Sequence, residues 1–307
     1  MHSFMITEQM YKEAAEALKS SQRILLVAHR KPDGDTLGSI IGLHLALKKL
    51  GKQTTLACVD VPSSRFSFLP DIENVKQRFN YNEFDMIVVC DAGESRMTNF
   101  QEIYPEFLSN RVPILNIDHH VSNDNYGKWN LVSPKTASAS ILVHYLIRVL
   151  GVPLDREIAL ALLAGIYNDT GGLMHSNTTQ EVFTVAAELA KAGADAALIS
   201  KQMFKQTKIA QLKLWGLIID RLHLNENGVA SSVLTYDEIA ASGASSEDTG
   251  GVIDLLSTLR EARFTLIATE DGKGFVKGSL RTNRDDVDVA AIAATLGGGG
   301  HKKAAGF

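Results

Sequence analysis

The chain has 307 residues and carries 31 Lys and Arg against 35 Asp and Glu, a net charge of −4, with 45% hydrophobic and 21% charged residues. These values describe an ordinary soluble globular protein long enough for two domains. The slightly acidic balance excludes a large footprint on long DNA or RNA duplexes, which needs a basic face. No window holds the roughly 18 consecutive apolar residues of a transmembrane helix, so no membrane is expected as a partner. Residues 1–10 lack the basic and apolar segments of a signal peptide. The two cysteines, Cys58 and Cys90, sit in apolar settings and imply a reducing, cytoplasmic compartment without disulfides.

In chain order, residues 6–20 have a helical polar–apolar pattern. Residues 23–28 are an apolar run that reads as a buried parallel strand, and residues 37–50 have the spacing of a crossover helix. Further strands are expected over residues 52–59, 85–90 and 112–117, and a buried Ala- and Leu-rich helix over 158–167. Strands alternating with helices to about residue 190 make this an α/β domain with a mainly parallel sheet. Residues 186–222 are largely helical, broken at Gly193, and read as a connector. A smaller α/β domain follows, with strands over 229–235, 265–269 and 274–281 and a helix over 287–296. Residues 243–251, rich in Ser, Gly and acids, read as a loop. The expected organisation is a catalytic domain over 1–190, a helical linker over 191–222 and a substrate-binding domain over 223–307.

The strand ends carry the chemistry. His29, Asp33 and Asp35 follow the first strand, where ligands bind in open α/β sheets. Asp91 follows the strand over 85–90, Asp118-His119-His120 follows that over 112–117, and Asp169 closes the buried helix. Each Asp alone also fits a turn or a helix cap, with Thr36 or Asp35 capping a helix that starts near Leu37. Adjacent histidines after an apolar strand are costly to bury without partners, and four such segments together favour a metal site. Mixed imidazole and carboxylate ligands suit Mn²⁺ better than Ca²⁺. More than four available ligands suggest two metals, as in sites that hydrolyse phosphate esters.

These motifs resemble those of the DHH phosphoesterase superfamily. His29, Asp33 and Asp35 match its first motif, Asp91 its second, Asp118-His119-His120 its name-giving third, and Asp169-Thr170-Gly171 its fourth. Gly297 to Gly300 with His301 resemble the glycine-rich loop of the associated DHHA1 domain. The resemblance implies a DHH domain joined by a helical linker to a smaller α/β DHHA1 domain. It implies that His29, Asp33 and Asp91 hold one Mn²⁺, while Asp35, Asp91, His119 and Asp169 hold a second, Asp91 bridging, with Mg²⁺ or Co²⁺ as substitutes. His120 would face the scissile phosphate, and Asp118 would orient a ring rather than bind metal. Within the superfamily, Pro32 to Ser39, Ser176 to Thr179 and Gly278 to Arg281 are similar to the nanoRNase and pAp-phosphatase subgroup. Relatives are expected to continue further than the six residues that follow His301 here.

Membership in that subgroup implies hydrolysis of short RNA and of 3′-phosphoadenosine 5′-phosphate (pAp). Cyclic di-AMP or linear dinucleotide hydrolysis, a family II pyrophosphatase and an inactive nucleotide sensor are the alternatives. Gly299 and Gly300, through their backbone N–H groups, His301 and Arg281 are the candidate substrate contacts. Domain closure on the substrate would limit its length, and a homodimer is compatible with the chain. His175 is a candidate border of the site, Arg260 and Arg263 are further candidate contacts, and His44, His144 and His223 read as ordinary helix positions. The Tyr and Phe residues are too dispersed to form a base-stacking platform.

Overall fold

The structure is a computed structural model that describes residues 6–109, 111–204 and 207–307. The chain separates into two compact units, dividing between residues 206 and 207.

The first unit contains α1 (Glu8–Ser20), β1 (Arg23–Val27), α2 (Gly34–Lys49), β2 (Gln53–Ala57), β3 (Met86–Cys90) and β4 (Ile114–Asp118). It continues with β5 (Trp129–Val132), α3 (Ala139–Leu150), α4 (Arg156–Asp169), α5 (Gln180–Lys191) and α6 (Ala196–Phe204). Its five strands run parallel in the order β2-β1-β3-β4-β5. The central strands β3 and β4 are buried throughout, which explains their unbroken apolar runs. Alternate residues still choose faces. Ile24, Leu26, Val88, Leu115 and Ile117 pack into the core that also holds apolar residues of α1 to α4. Leu25, Val27, Ile87, Val89 and Ile114 face a second core closed by Tyr81, Phe100 and Phe107.

Helix α2 begins at Gly34, not near Leu37, and its cap is Asp33, whose carboxylate accepts from the backbone N–H of Asp35 and Thr36. The expected cap was thus two or three residues too late. Strand β5 and helix α3 are further elements beyond those expected from the sequence. Helices α2 and α4 lie against each other along Gly38, where a Cβ would collide with the Ala161 carbonyl oxygen, and along Gly165, where it would collide with Asp35 Oδ1 of α2 and with the Ser140 hydroxyl of α3. This close approach holds Asp35, at the start of α2, near Asp169, at the end of α4.

The second unit contains α7 (Ile209–Asp220), β6 (His223–Leu224), β7 (Val229–Leu234), α8 (Tyr236–Ser242), α9 (Val252–Leu256) and β8 (Phe264–Glu270). It ends with β9 (Val276–Arg281), α10 (Val289–Thr295), β10 (Gly299–His301) and β11 (Ala304–Gly306). Its sheet has the order β10-β11-β9-β8-β7-β6 and is mixed, only β7 and β8 pairing in parallel. The expected loop over 243–251 contains a short 3₁₀ turn, Ser246–Thr249. Among the described residues, no helix is long and apolar enough to cross a membrane.

Gly38→Ala is expected to destabilise the protein by about 1–3 kcal/mol, because backbone blocks the added methyl. Gly216→Ala in α7, which meets nothing within 4 Å, should stabilise by roughly 0.5–1 kcal/mol. Denaturant midpoints of the two variants moving the same way would contradict this packing.

Candidate metal centre

Each chemical residue of the first unit sits just beyond the carboxyl end of a strand or within one turn of a helix end. His29 follows β1, and its Nδ1 lies 2.7 Å from the Arg30 carbonyl oxygen, an obligate acceptor. Nδ1 therefore carries the proton and Nε2 is the coordinating nitrogen. That Nε2 stands 3.7 Å from Asp33 Oδ1 and 3.6 Å from Asp91 Oδ2. Asp91 follows β3 with φ 60°, a left-handed conformation unusual for a residue with a Cβ, and its N–H bonds the Ile117 carbonyl at 2.8 Å.

His119 and His120 follow β4. His119 Nε2 lies 3.3 Å from Asp91 Oδ1 and 3.0 Å from Asp169 Oδ2. His120 Nδ1 lies 2.8 Å from Asp118 Oδ1 and 3.6 Å from Asp91 Oδ1. Three sets of potential ligand atoms each fall within 4.8 Å of one another: His29, Asp33 and Asp91; Asp35, Asp91, His119 and Asp169; and Asp91, His119 and His120. Asp91 belongs to all three. The six residues expected to hold metal are therefore gathered in one place, with His120 beside them.

The electrostatics fit a divalent cation. Asp35 is fully buried, and burial together with the neighbouring charges of Asp169 and Asp91 pushes its carboxyl well above the usual range. Burial likewise raises Asp169. Burial alone would raise Asp91 too, but the neighbouring imidazoles of His119 and His29 outweigh it and hold that carboxyl low. Burial opposes charge on His29 and His119, yet their carboxylate neighbours raise both well above the ordinary histidine value. His120 is raised as well, against burial, by its bond to Asp118. Four carboxylates, Asp33, Asp35, Asp91 and Asp169, thus face two imidazoles, His29 and His119, in the two sets that share only Asp91. The buried Asp91 Oδ1 has no well-aligned hydrogen-bond donor, only the rings of His119 at 3.3 Å and His120 at 3.6 Å. An orphaned carboxylate oxygen amid excess negative charge is what a cation would satisfy.

Several supporting residues have no signal in the sequence. Asn168 Nδ2 donates to Asp33 Oδ2 at 3.2 Å and to Asp169 Oδ1 at 3.1 Å, tying the first ligand segment to the last. Asp35 accepts from the N–H groups of Ala139 and Ser140 at 2.6 and 3.0 Å, so it caps α3 from about 100 residues away. Thr36 Oγ1 donates to the Cys90 carbonyl at 2.8 Å, fixing the start of α2 to the end of β3. His175 does border Asp169, its Nδ1 lying 3.2 Å from the Asp169 carbonyl oxygen.

The candidate substrate residues lie in the second unit. Arg281, in β9, pairs with Asp254 at 3.1 Å and donates to the Leu280 carbonyl at 3.0 Å. Gly299, Gly300 and His301 form β10, paired with β11. Gly300 has φ 140°, and a Cβ there would meet the Ala304 carbonyl oxygen at 2.6 Å, so the hairpin itself requires this glycine.

The DHH family N-terminal domain matches residues 23–166 and the DHHA1 domain matches residues 226–307. The chain belongs to the DHH family. It is 32% identical over 300 residues to the bifunctional oligoribonuclease and PAP phosphatase NrnA of Thermus thermophilus, covering 95% of this chain and 86% of that one. To the Bacillus subtilis protein of the same name it is 26% identical, covering 97% and 92%. An exopolyphosphatase-related protein from Bacteroides fragilis has the same fold, with a TM-score of 0.88 at 22% identity, covering 100% of this chain and 92% of that one.

Because His29 and His119 hold protons above the ordinary histidine range without metal, a cation must displace those protons to bind. Divalent metal affinity should therefore strengthen as pH rises from about 6 to about 8, with net proton release. Calorimetry in buffers of different ionisation enthalpy reads both effects; an affinity independent of pH would contradict this picture.

Proposed function

We propose that the chain is a divalent-metal phosphoesterase that hydrolyses short RNA to mononucleotides and removes the 3′-phosphate of pAp. The observation that carries the two-metal form is the position of Asp91. Its Oδ2 faces His29 at 3.6 Å and its Oδ1 faces His119 at 3.3 Å, as a carboxylate shared by two cations would. In this reading His29, Asp33 and Asp91 hold one Mn²⁺ and Asp35, Asp91, His119 and Asp169 hold the other, with Mg²⁺ or Co²⁺ as substitutes. The substrate class is supported by the near full-length similarity to enzymes named for both activities. A cytoplasmic location is proposed with it, supported by the two buried free cysteines, as is a homodimer, to be read by light scattering.

Bound cations supply Lewis acidity that activates water and neutralises phosphate charge. The chain's own residues do the rest. His29 and His119 present Nε2, and the Arg30 carbonyl keeps the His29 ring in place. Asn168 holds Asp33 and Asp169 at fixed separation, so the ligand sets are preorganised. His120, whose side chain is 24% exposed, is held through Nδ1 by Asp118 and offers Nε2 to the phosphate and leaving oxygens. In the second unit, Gly299, Gly300 and His301 would contact the terminal nucleotide, and Arg281 would exchange Asp254 for a phosphate. A net charge of −4 fits a small anionic substrate better than a long polymer.

Turnover of a diribonucleotide, a longer RNA, pAp, cyclic di-AMP and pyrophosphate with Mn²⁺ tests the assignment. The highest kcat/KM is expected for the diribonucleotide and pAp; strong preference for pyrophosphate or cyclic di-AMP would overturn it. Asp91→Ala should lower kcat by more than about 100-fold on every substrate, since it removes a contact to both cations. Retained activity would exclude a shared carboxylate.

A further inference from the structure

Four polar side chains form a continuous hydrogen-bonded line that ends at His120. Asn116 is fully buried in the middle of β4, on the same face as Asp118 two residues on. Asn130 of β5 is its register partner. Asn123, in the turn after His120, is 8% exposed.

The hydrogen bonds among them leave one arrangement of amide groups. At the far end, Asn130 Oδ1 accepts from the Gly127 N–H at 3.0 Å and its Nδ2 donates to the Gly127 carbonyl at 2.7 Å. A backbone N–H cannot accept and a carbonyl cannot donate, so Asn130 has only that orientation. Asn116 Nδ2 then donates to Asn130 Oδ1 at 3.0 Å and to Asn123 Oδ1 at 2.8 Å. Asn123 Oδ1 also accepts from the Asn125 N–H at 2.8 Å, which independently fixes that amide. Its Nδ2 therefore donates to Asp118 Oδ2, 2.5 Å away, with longer bonds of 3.3 Å to the Ala92 carbonyl and to Asn116 Oδ1. Asp118 is fully buried, and its remaining oxygen, Oδ1, meets His120 Nδ1 at 2.8 Å.

We propose that Asn123 is a positioning residue for the reaction, the last link of a buried amide chain that fixes Asp118 and, through it, both the proton on His120 Nδ1 and the direction of Nε2. Without Asn123, Asp118 Oδ2 loses its close donor and the carboxylate is free to rotate about its Cβ bond. The His120 ring is then no longer held at one angle. The Asn116, Asn123 and Asn130 side chains bond one another, Asp118 and backbone groups, so their effect reaches the site through the His120 ring, whose Nδ1 also stands 3.6 Å from Asp91 Oδ1. This inference rests on the assignment of His120 to the phosphate, and the test below separates the two.

The full-length metal-free protein, labelled with ¹⁵N-histidine, is compared as wild type, Asn123→Ala and Asn123→Asp; a His120→Gln spectrum identifies the His120 signals. At a pH high enough for the His120 ring to be neutral, wild type is expected to show its proton on Nδ1. Both variants should shift His120 towards a mixture of tautomers, and the Asp substitution should do so more, because it sets an acceptor against an acceptor. In the Mn²⁺-loaded enzyme kcat should fall about tenfold or more, with KM and metal affinity within about twofold of wild type. If Asn123 variants do not fold, Asn130→Ala, on the half-buried β5, should show the same changes at smaller size. Unchanged His120 nitrogens in folded variants, or a rate loss that follows lost metal affinity, would overturn the proposal. Wild-type kcat in His120→Gln would instead remove the role of His120 itself, leaving the amide chain to be judged on the nitrogen spectra.

Discussion

One buried carboxylate, Asp91, is the point on which the first unit converges. It follows the central strand β3, lies 2% exposed, and belongs to every potential ligand set in the described residues. Its backbone is left-handed, a conformation unusual for a residue with a Cβ. Such a conformation persists only when its surroundings over-determine it, and here the Ile117 carbonyl holds the Asp91 N–H from the neighbouring strand. The result is a carboxylate whose two oxygens address different histidines.

Gathering so many ionisable groups has an electrostatic cost, and the fold is organised to bear it. Each peripheral carboxylate is held by donors that belong to structure rather than to chemistry. Asp33 caps its own helix, Asp35 caps α3, and Asn168 links Asp33 to Asp169. These bonds anchor the carboxylates that surround Asp91, while Asp91 Oδ1 itself has no well-aligned donor and faces only the His119 and His120 rings. The close packing of α2 on α4 through Gly38 and Gly165 is the mechanical counterpart, since it sets how near Asp35 and Asp169 stand. Both helices are rich in small residues for that reason, not for intrinsic helix propensity.

Much of this was legible in the chain because the ligands are local to strong signals. Continuous apolar runs mark β1, β3 and β4, and the ligand residues follow them directly. The helix start at Gly34 was misplaced because Asp33 serves at once as cap and as candidate ligand, and the two roles look alike in sequence. Strand β5 was missed because its four residues alternate too briefly. The long-range supports were invisible for a deeper reason. Asp35 to Ala139 and Asn168 to Asp33 are contacts between segments more than 100 residues apart, which no periodicity encodes. Asn116 did leave a trace, as a lone amide inside the buried run of β4, and a polar residue there has to have partners.

Sharing of Asp91 by two cations is a proposal that its position between the two ligand sets supports. Crystals grown with Mn²⁺ and measured at its absorption edge test that claim most directly. Two anomalous peaks about 3.5–4 Å apart are predicted, one beside His29 and Asp33 and the other beside Asp35, His119 and Asp169, with Asp91 between them. A single peak, or two peaks with Asp91 bound to only one, would contradict the account.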